Sequence, residues 1–410
     1  MGKTLIQIAQ DLKDSPKKVQ LIYAFNGVGK TRLSREFRLL VAPKVTEEQE
    51  ESGMKVIYYN AFTEDLFYWD NDLDADSHRK LIIRPNNFTD LALGFLKDQG
   101  LDNNIVTNFQ HFTSDSITPL FNEEYTTQDV NGDDIVIKAY SEVTFSITSG
   151  DNQSEPNIKI SKAEESNFIW CVYYSLLEEV IEILNETDIN NRSTDIFNQL
   201  EYVFIDDPVS SLDDNHLIEL AVNISKLIKK SESNVKFIIA THNPLFYNVI
   251  SNELNNKEPN KNEALLLPNG EKKLWIYKPS ESIKYRFNKQ KDGNYNLIKL
   301  DGKTPFSYHL QLLSEIKKAI SDNQIKKYHF SFIRNILEKT ATFLGHSKWE
   351  NLLPKIDDNP DPFANRILNL SSHSAHSGEE IGELAENDKE KLTELIDFLS
   401  TEYKFWQEVE

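Results

Sequence analysis

The chain has 410 residues, 39% of them apolar and 11% aromatic, which is too much for one ordinary core and fits two or three folded domains. Its formal net charge of −20 argues against a protein that coats DNA without sequence preference. Cys171 is the only cysteine, so no intrachain disulfide can form and a reducing, cytoplasmic setting is expected. No uninterrupted apolar run reaches membrane-spanning length.

The first 14 residues are amphipathic and lack the apolar block of a secretory signal. Ile6 stands where an N-myristoylation pattern needs Ser or Thr. Leu21 to Ala24 reads as a strand that enters the turn Ala24-Phe25-Asn26-Gly27-Val28-Gly29-Lys30-Thr31, followed by a helix. This order suits a triphosphate. Backbone N–H groups at a helix N-terminus surround phosphate oxygens, and Gly27 and Gly29 let the backbone come close. Lys30 then reaches the terminal phosphates and Thr31 ligates Mg²⁺. Asn26, Gly27, Val28, Gly29, Lys30, Thr31 and Arg32 are the expected nucleotide contacts. Met1-Gly2-Lys3-Thr4 repeats the Gly-Lys-Thr string without a preceding strand, so it is a decoy.

A second strand is expected over residues 55–62. Residues 63–150 form a mixed inserted arm with a helix over 87–99 and a strand over 142–150. Another strand is expected over 156–162, across a polar loop. Residues 164–186 keep helical periodicity with few polar interruptions, which predicts a helix buried over much of its surface. The apolar strands 199–207 and 234–243, with a helix over 216–232 between them, are of the kind found inside a parallel sheet. The first of these strands ends at Asp206-Asp207. Asp206 is placed to hold Mg²⁺, and Asp207 to orient or deprotonate the attacking water. His242 lies at the end of the second.

From Lys272 to Lys303 the chain carries nine basic residues against three acids, with Trp275, Tyr277, Tyr285, Phe287 and Tyr295 among them. Two readings fit: a half-buried β-hairpin, or a ribbon that contacts RNA through cations and stacked rings. A mainly helical segment follows. In residues 326–345 apolar positions recur at helical spacing, and Arg334 and Glu338, four apart, share one face. That pair is either a surface ion pair worth about 0.3–0.5 kcal/mol or part of a site. His373 and His376 fall in a Ser-rich stretch downstream. Arg, Glu and His together suffice for RNA cleavage without a metal. Two of them move protons at the ribose 2′-OH and the departing 5′-oxygen, and Arg neutralises charge on phosphorus.

The ordered series of phosphate loop, Asp206-Asp207, Ser210-Ser211-Leu212-Asp213 and His242 resembles the ATP-binding cassette head domain. In that superfamily the segment Ile160 to Ser166 occupies the signature position, where Ser161 and Glu164 match in kind, while Lys162 and Ala163 depart from its two glycines. Asp207 stands where most such heads carry Glu, and no Q-loop glutamine is evident. The resemblance implies that one head's signature closes over the other head's nucleotide, hence at least a homodimer. The span from Thr31 to Ser161 is too short for a long coiled-coil arm.

The strings at 16–37, 60–72, 164–170, 202–223, 307–312 and 371–374 together resemble the PrrC-type bacterial anticodon nucleases over essentially the whole chain. The resemblance implies an α/β fold: a cassette-type P-loop ATPase head with a mixed or parallel sheet, followed by a mainly helical nuclease domain. The expected division is 1–265 for the head, 266–303 for a basic connecting ribbon and 304–410 for the nuclease. The family's Arg-x3-Glu plus distant His falls on Arg334, Glu338 and His373, with His376 as the competing histidine. Further implications are cleavage of lysine tRNA 5′ of the wobble base, ATP or GTP hydrolysis and dTTP binding. Silencing by a type I restriction-modification complex is implied too. Two rival readings remain, a DNA-sensing or DNA-repair ATPase whose C-terminal region binds a partner, and a regulatory ATPase with a docking platform.

Overall fold

A computed structural model describes residues 2–43, 54–60, 63, 65–72, 77–85, 87–128, 131–148, 154–208, 212–260, 274–290, 292–300, 308–362 and 386–404. The chain divides into two units, residues 1–304 and 305–410. Among the described residues no helix is long and apolar enough to cross a membrane.

In the first unit, helix α1 (Leu5–Asp14) opens on a capping box between Thr4 and Gln7 and buries Leu5, Ile8, Ala9 and Leu12. Strand β1 (Val19–Tyr23) is buried throughout and leads through the glycine turn into α2 (Lys30–Val41). Next come β2 (Val56–Tyr59), β3 (Phe67–Asp70), β4 (Lys80–Ile83), α3 (Asn87–Asp98), α4 (Asp102–Phe112) and β5 (Ile117–Phe121). Strands β6 (Tyr125–Gln128), β7 (Asp134–Ile137), β8 (Glu142–Thr148) and β9 (Ser154–Glu155) complete the arm. After α5 (Lys162–Asn185) the chain runs through β10 (Tyr202–Asp206), α6 (Asp214–Lys230), β11 (Lys236–Thr241) and α7 (Pro244–Glu253). Strands β12 (Glu258–Pro259), β13 (Trp275–Tyr277), β14 (Ser282–Lys289) and β15 (Tyr295–Lys299) close the unit.

The main sheet has the order β15-β14-β1-β11-β10-β2, parallel except for the β14–β15 hairpin. Its parallel strands all end on one edge. There Tyr23 pairs with Thr241, Asp206 with Ala240 and Ile205 with Tyr59, so Asp206, His242 and Asn60 follow at neighbouring strand ends. Ligands of open α/β sheets bind at that carboxyl edge. A second, antiparallel sheet of β3-β4-β8-β5, with β9 beside β8, forms the arm. Phe145 of β8, Phe109 of α4 and Phe168 of α5 pack edge-on or tilted, with ring centroids 5.2–6.0 Å apart. Helix α5 buries 17 of its 24 residues, as its sparse polar pattern predicts.

Two expectations for the first unit change. The strand expected over residues 156–162 is absent. Asn157 takes a left-handed φ of 57°, and Ser161 caps α5, so the extended run ends at Glu155. The stretch expected as a connecting ribbon belongs to the first unit, where β14 lies parallel to β1 as an internal strand of the sheet. Tyr277, Phe287 and Tyr295 are buried there. Lys284 is buried as well, its ammonium donating to the Ser251 carbonyl and Asn255 Oδ1.

The second unit contains α8 (Tyr308–Ser321), α9 (Lys327–Phe343) and α10 (Glu386–Glu402). Its core joins Leu312 and Ile316 of α8, Ile333 and Leu337 of α9, Leu352, and Leu395 and Leu399 of α10. Phe343 and Leu344, which continue the helical apolar spacing of residues 326–345, are exposed. The helix stops at Phe343, and Gly345, at φ 76°, turns the chain away.

Candidate functional sites

The turn after β1 is held open by two left-handed glycines, Gly27 at φ 78° and Gly29 at φ 112°. Lys30 opens α2 and is 7% exposed. Its ammonium donates to the carbonyl of Ala24 and to Asn26 Oδ1, each at 3.3 Å, and pairs with Asp207 Oδ2 at 2.9 Å. Thr31 Oγ1 donates to Asp206 Oδ2 at 2.8 Å, so the two expected Mg²⁺ ligands already touch.

Asp206 is 2% exposed, and its Oδ1 has no hydrogen-bond partner. Burial, with Asp207 next to it, lifts its carboxyl from 3.8 to about 7 against the opposing pull of Thr31, Lys30 and His242. A buried oxygen without a partner, beside a threonine hydroxyl, is the donor set a Mg²⁺ ion takes, so these residues fit the ion.

Asp207 follows with φ 52°, a conformation that Asp tolerates better than most residues. Its N–H donates to the Ala240 carbonyl, and its Oδ1 accepts from the His242 N–H and lies 2.8 Å from His242 Nδ1. Burial opposes ionisation, but the His242 hydrogen bond and the Lys30 charge outweigh it and hold Asp207 below the usual carboxylate range. An ionised Asp207 only accepts, which places a hydrogen on His242 Nδ1. Asp206, Asp207, His242, Lys30 and Thr31 are thus brought together.

Three side chains beyond the motif complete this edge. Ser34 Oγ donates to the Thr31 carbonyl and lies 2.7 Å from Tyr58 Oη, which also receives the Asn60 amide. Burial pushes the Tyr58 phenol up to about 12, so it stays a neutral link between α2 and β2. Asn60 directly follows β2, the strand that pairs with the Asp206 strand β10. Only sheet register reveals it.

Ser161 and Glu164 sit at the start of α5 and bond each other. Ser161 Oγ accepts from the Glu164 N–H at 3.3 Å, and Glu164 Oε2 accepts from the Ser161 N–H at 2.7 Å. They lie apart from Lys30 in sequence and share no hydrogen bond with it. Beside them, Trp69 Nε1 donates to Glu165 Oε2 at 2.9 Å, and Lys159 lies 5.6 Å from the Trp69 ring while donating to Asn71 Oδ1. Trp69 therefore braces the first turn of α5.

In the second unit, Arg334 Nε donates to Glu338 Oε1 at 2.8 Å across one turn of α9, with the guanidinium 5.6 Å from the Trp349 ring. Ile333 and Leu337 anchor the helix in the core, which presents the next residues, Arg334 and Glu338, at its border. His309 of α8 hydrogen-bonds Asn335, and burial lowers its pKa. His373 and His376 lie outside the described residues.

A profile described as AAA domain matches residues 141–401. A protein named anticodon nuclease from Escherichia coli is 46% identical over 434 aligned residues, covering 100% of this chain and 99% of that protein. The chain belongs to the anticodon nuclease family. Among solved structures, the SMC head domain from Thermotoga maritima shares 11% identity at a TM-score of 0.25, over 69% of this chain and 90% of that chain. The Smc head with coiled coil and joint from Pyrococcus yayanosii also shares 11%, at a TM-score of 0.27, over 54% of this chain and 30% of that one. At such scores the likeness bears on neither fold nor function. The fold class of the chain is α/β, with a P-loop ATPase domain and a helical C-terminal region.

Proposed function

We propose that the chain is a nucleotide-gated endoribonuclease that cuts lysine tRNA in the anticodon loop, 5′ of the wobble base, in defence against phage. The observation that carries this reading is 46% identity along the whole chain to an anticodon nuclease, with Arg334 and Glu338 paired on one helix turn. In the cleavage step the ribose 2′-oxygen attacks phosphorus, the 2′-O–P bond forms and the P–5′-O bond breaks. Glu338 and His373 share the two proton transfers, one taking the 2′-OH proton and the other protonating the 5′-oxygen. Arg334 offsets charge on the phosphoryl oxygens. The products are a 2′,3′-cyclic phosphate and a 5′-hydroxyl, and DNA, without the 2′-OH, is left intact.

The gate is the P-loop. Lys30 is tied to Asp207 and to loop acceptors, so ATP or GTP phosphates must take over these contacts. That exchange frees Asp207 to orient water, with Nε2 of His242 turned to the same task. Mg²⁺, held by Thr31 and Asp206, supplies charge neutralisation for the phosphates when bound. Two heads pair so that Ser161 and Glu164 of one meet the nucleotide of the other, at the cost of a capping box that already exists. Binding of dTTP and silencing by a type I restriction-modification complex complete the regulatory reading.

The test uses a lysine anticodon stem-loop in two forms, all-ribose and with a single 2′-deoxy sugar on the nucleotide preceding the wobble base. The all-ribose form is cut at that bond, and the substituted form is not. Equal cutting of both forms refutes 2′-OH attack.

A further inference from the structure

Helix α9 (Lys327–Phe343) carries two adjoining rows of side chains on its open face. Arg334, Glu338 and Thr342 form one row. Asn335, Lys339 and Phe343, each one position later, form the other. All but the half-buried Arg334 are exposed, whereas Phe330, Ile333, Ile336, Leu337 and Ala341 are buried on the opposite side. The first row holds the paired guanidinium and carboxylate. The second ends in a phenyl ring that is 86% exposed, more than any other large apolar side chain among the described residues, so its position asks for a reason.

Fraying of the helix end does not supply one. The His346 N–H donates to the Ala341 carbonyl at 2.8 Å, and the Gly345 N–H to the Thr342 carbonyl at 3.2 Å, with Gly345 in the left-handed region. These two bonds close a Schellman turn, so Phe343 sits in a pinned last turn. Trp349, the aromatic beside Arg334, is buried and already packs on the guanidinium. The Phe343 ring, by contrast, touches no other ring among the described residues, and Lys339 forms no side-chain hydrogen bond or ion pair among them. Asn335 is steadied by its hydrogen bond to His309 of α8. Phe343 and Leu344 alone fall far short of the apolar area that a stable protein interface buries. A single flat partner suits one ring better.

We infer that the Asn335–Lys339–Phe343 row is a base-binding subsite, where Phe343 stacks on an unpaired RNA base next to the bond that is cut. Phe343 stands five positions beyond Glu338, a rise of about 7.5 Å along the helix axis. A neighbouring nucleotide of an unstacked loop spans such a step. Loop bases are recognised by stacking on aromatic rings, with polar groups at their edges. Here Phe343 meets the face of the base, the Asn335 carboxamide offers both donors and an acceptor to its edge, and Lys339 meets a flanking phosphate. The inference rests on reading Arg334 and Glu338 as the cleavage pair.

The test measures kcat/KM of the full chain on the all-ribose lysine anticodon stem-loop. Two further substrates are each abasic at one nucleotide beside the scissile bond, one on either side, with ribose and phosphates kept. Phe343→Ala should lower kcat/KM on the parent about tenfold, chiefly through KM. Its thermal midpoint should stay unchanged, because the ring lies in water, and Phe343→Trp should restore cleavage. Wild type should cut one of the abasic forms about tenfold more slowly than the parent, and on that form Phe343→Ala should cost nothing further. The subsite is overturned by a parent loss below about twofold in Phe343→Ala, by abasic forms that wild type cuts as fast as the parent, or by losses that multiply on both abasic forms. Arg334→Ala is the control. If it abolishes cleavage, those outcomes remove the subsite alone; if it cuts the parent at the wild-type rate, the cleavage pair falls and the subsite with it.

Discussion

Replacing Asp206 with Asn should stabilise the ligand-free first unit at alkaline pH while weakening its Mg²⁺-dependent nucleotide binding. In the folded chain the carboxyl titrates near 7 rather than 3.8, chiefly because it is buried. The folded state therefore holds this proton more tightly than the unfolded chain does. The resulting stability is complete below pH 3.8 and is lost as pH rises through about 7. At pH 8 the buried charge, only partly offset by Thr31, Lys30 and His242, costs roughly 4 kcal/mol relative to the protonated acid, from 1.36 kcal/mol per pKa unit. An amide keeps the shape and carries no such charge. Thermal unfolding in EDTA, followed from pH 5 to 8.5, should show a higher midpoint for Asp206→Asn at pH 8 and a difference that shrinks toward pH 5. Mg²⁺·ATP, which needs the ionised oxygen, should stabilise wild type and not the variant. A pH-independent difference, or greater stability of wild type at pH 8, refutes the reasoning.

Leu337→Ala removes a fully buried side chain from the second unit and should cost about 3 kcal/mol, read as a lower denaturant midpoint for that unit. Nucleotide binding by the first unit should be unchanged. Ser161→Ala breaks the capping box at α5 and should cost about 1 kcal/mol in urea unfolding. It should also abolish ATP-dependent dimerisation seen by sedimentation, which a cap alone does not predict. His373→Ala should eliminate RNA cleavage with an unchanged circular dichroism spectrum, whereas His376→Ala should retain it. The reverse pattern assigns the role to His376.

The phosphate loop, the Asp206-Asp207 pair and the Arg334–Glu338 pair are legible because each depends on local spacing. A strand-turn-helix with two glycines, a buried strand ending in two acids and an i,i+4 pair need no knowledge of distant residues. Ser34, Tyr58 and Asn60 were not readable as part of the site, since it is the pairing of β2 with β10, some 145 residues away, on the order of a whole domain, that sets them beside Asp206. Tyr295 is the strongest case. Charge and aromatic content placed it in a basic ribbon, while pairing of β14 with β1 buries it against the P-loop. The false strand at 156–162 has a local cause: Ser161-x-x-Glu164 is a helix start, and it overrides β-branched residues nearby.

The most direct test is to incubate the purified chain with total tRNA, with and without ATP or GTP, and sequence all new 5′-hydroxyl ends. Wild type should yield ends at one bond of the lysine anticodon loop, in amounts set by nucleotide. Arg334→Ala should yield none, and Lys30→Ala should cut without regard to nucleotide or not at all. Cleavage that survives in Arg334→Ala, or a nucleotide response that survives in Lys30→Ala, contradicts a nucleotide switch and an RNA-cutting centre joined in this polypeptide.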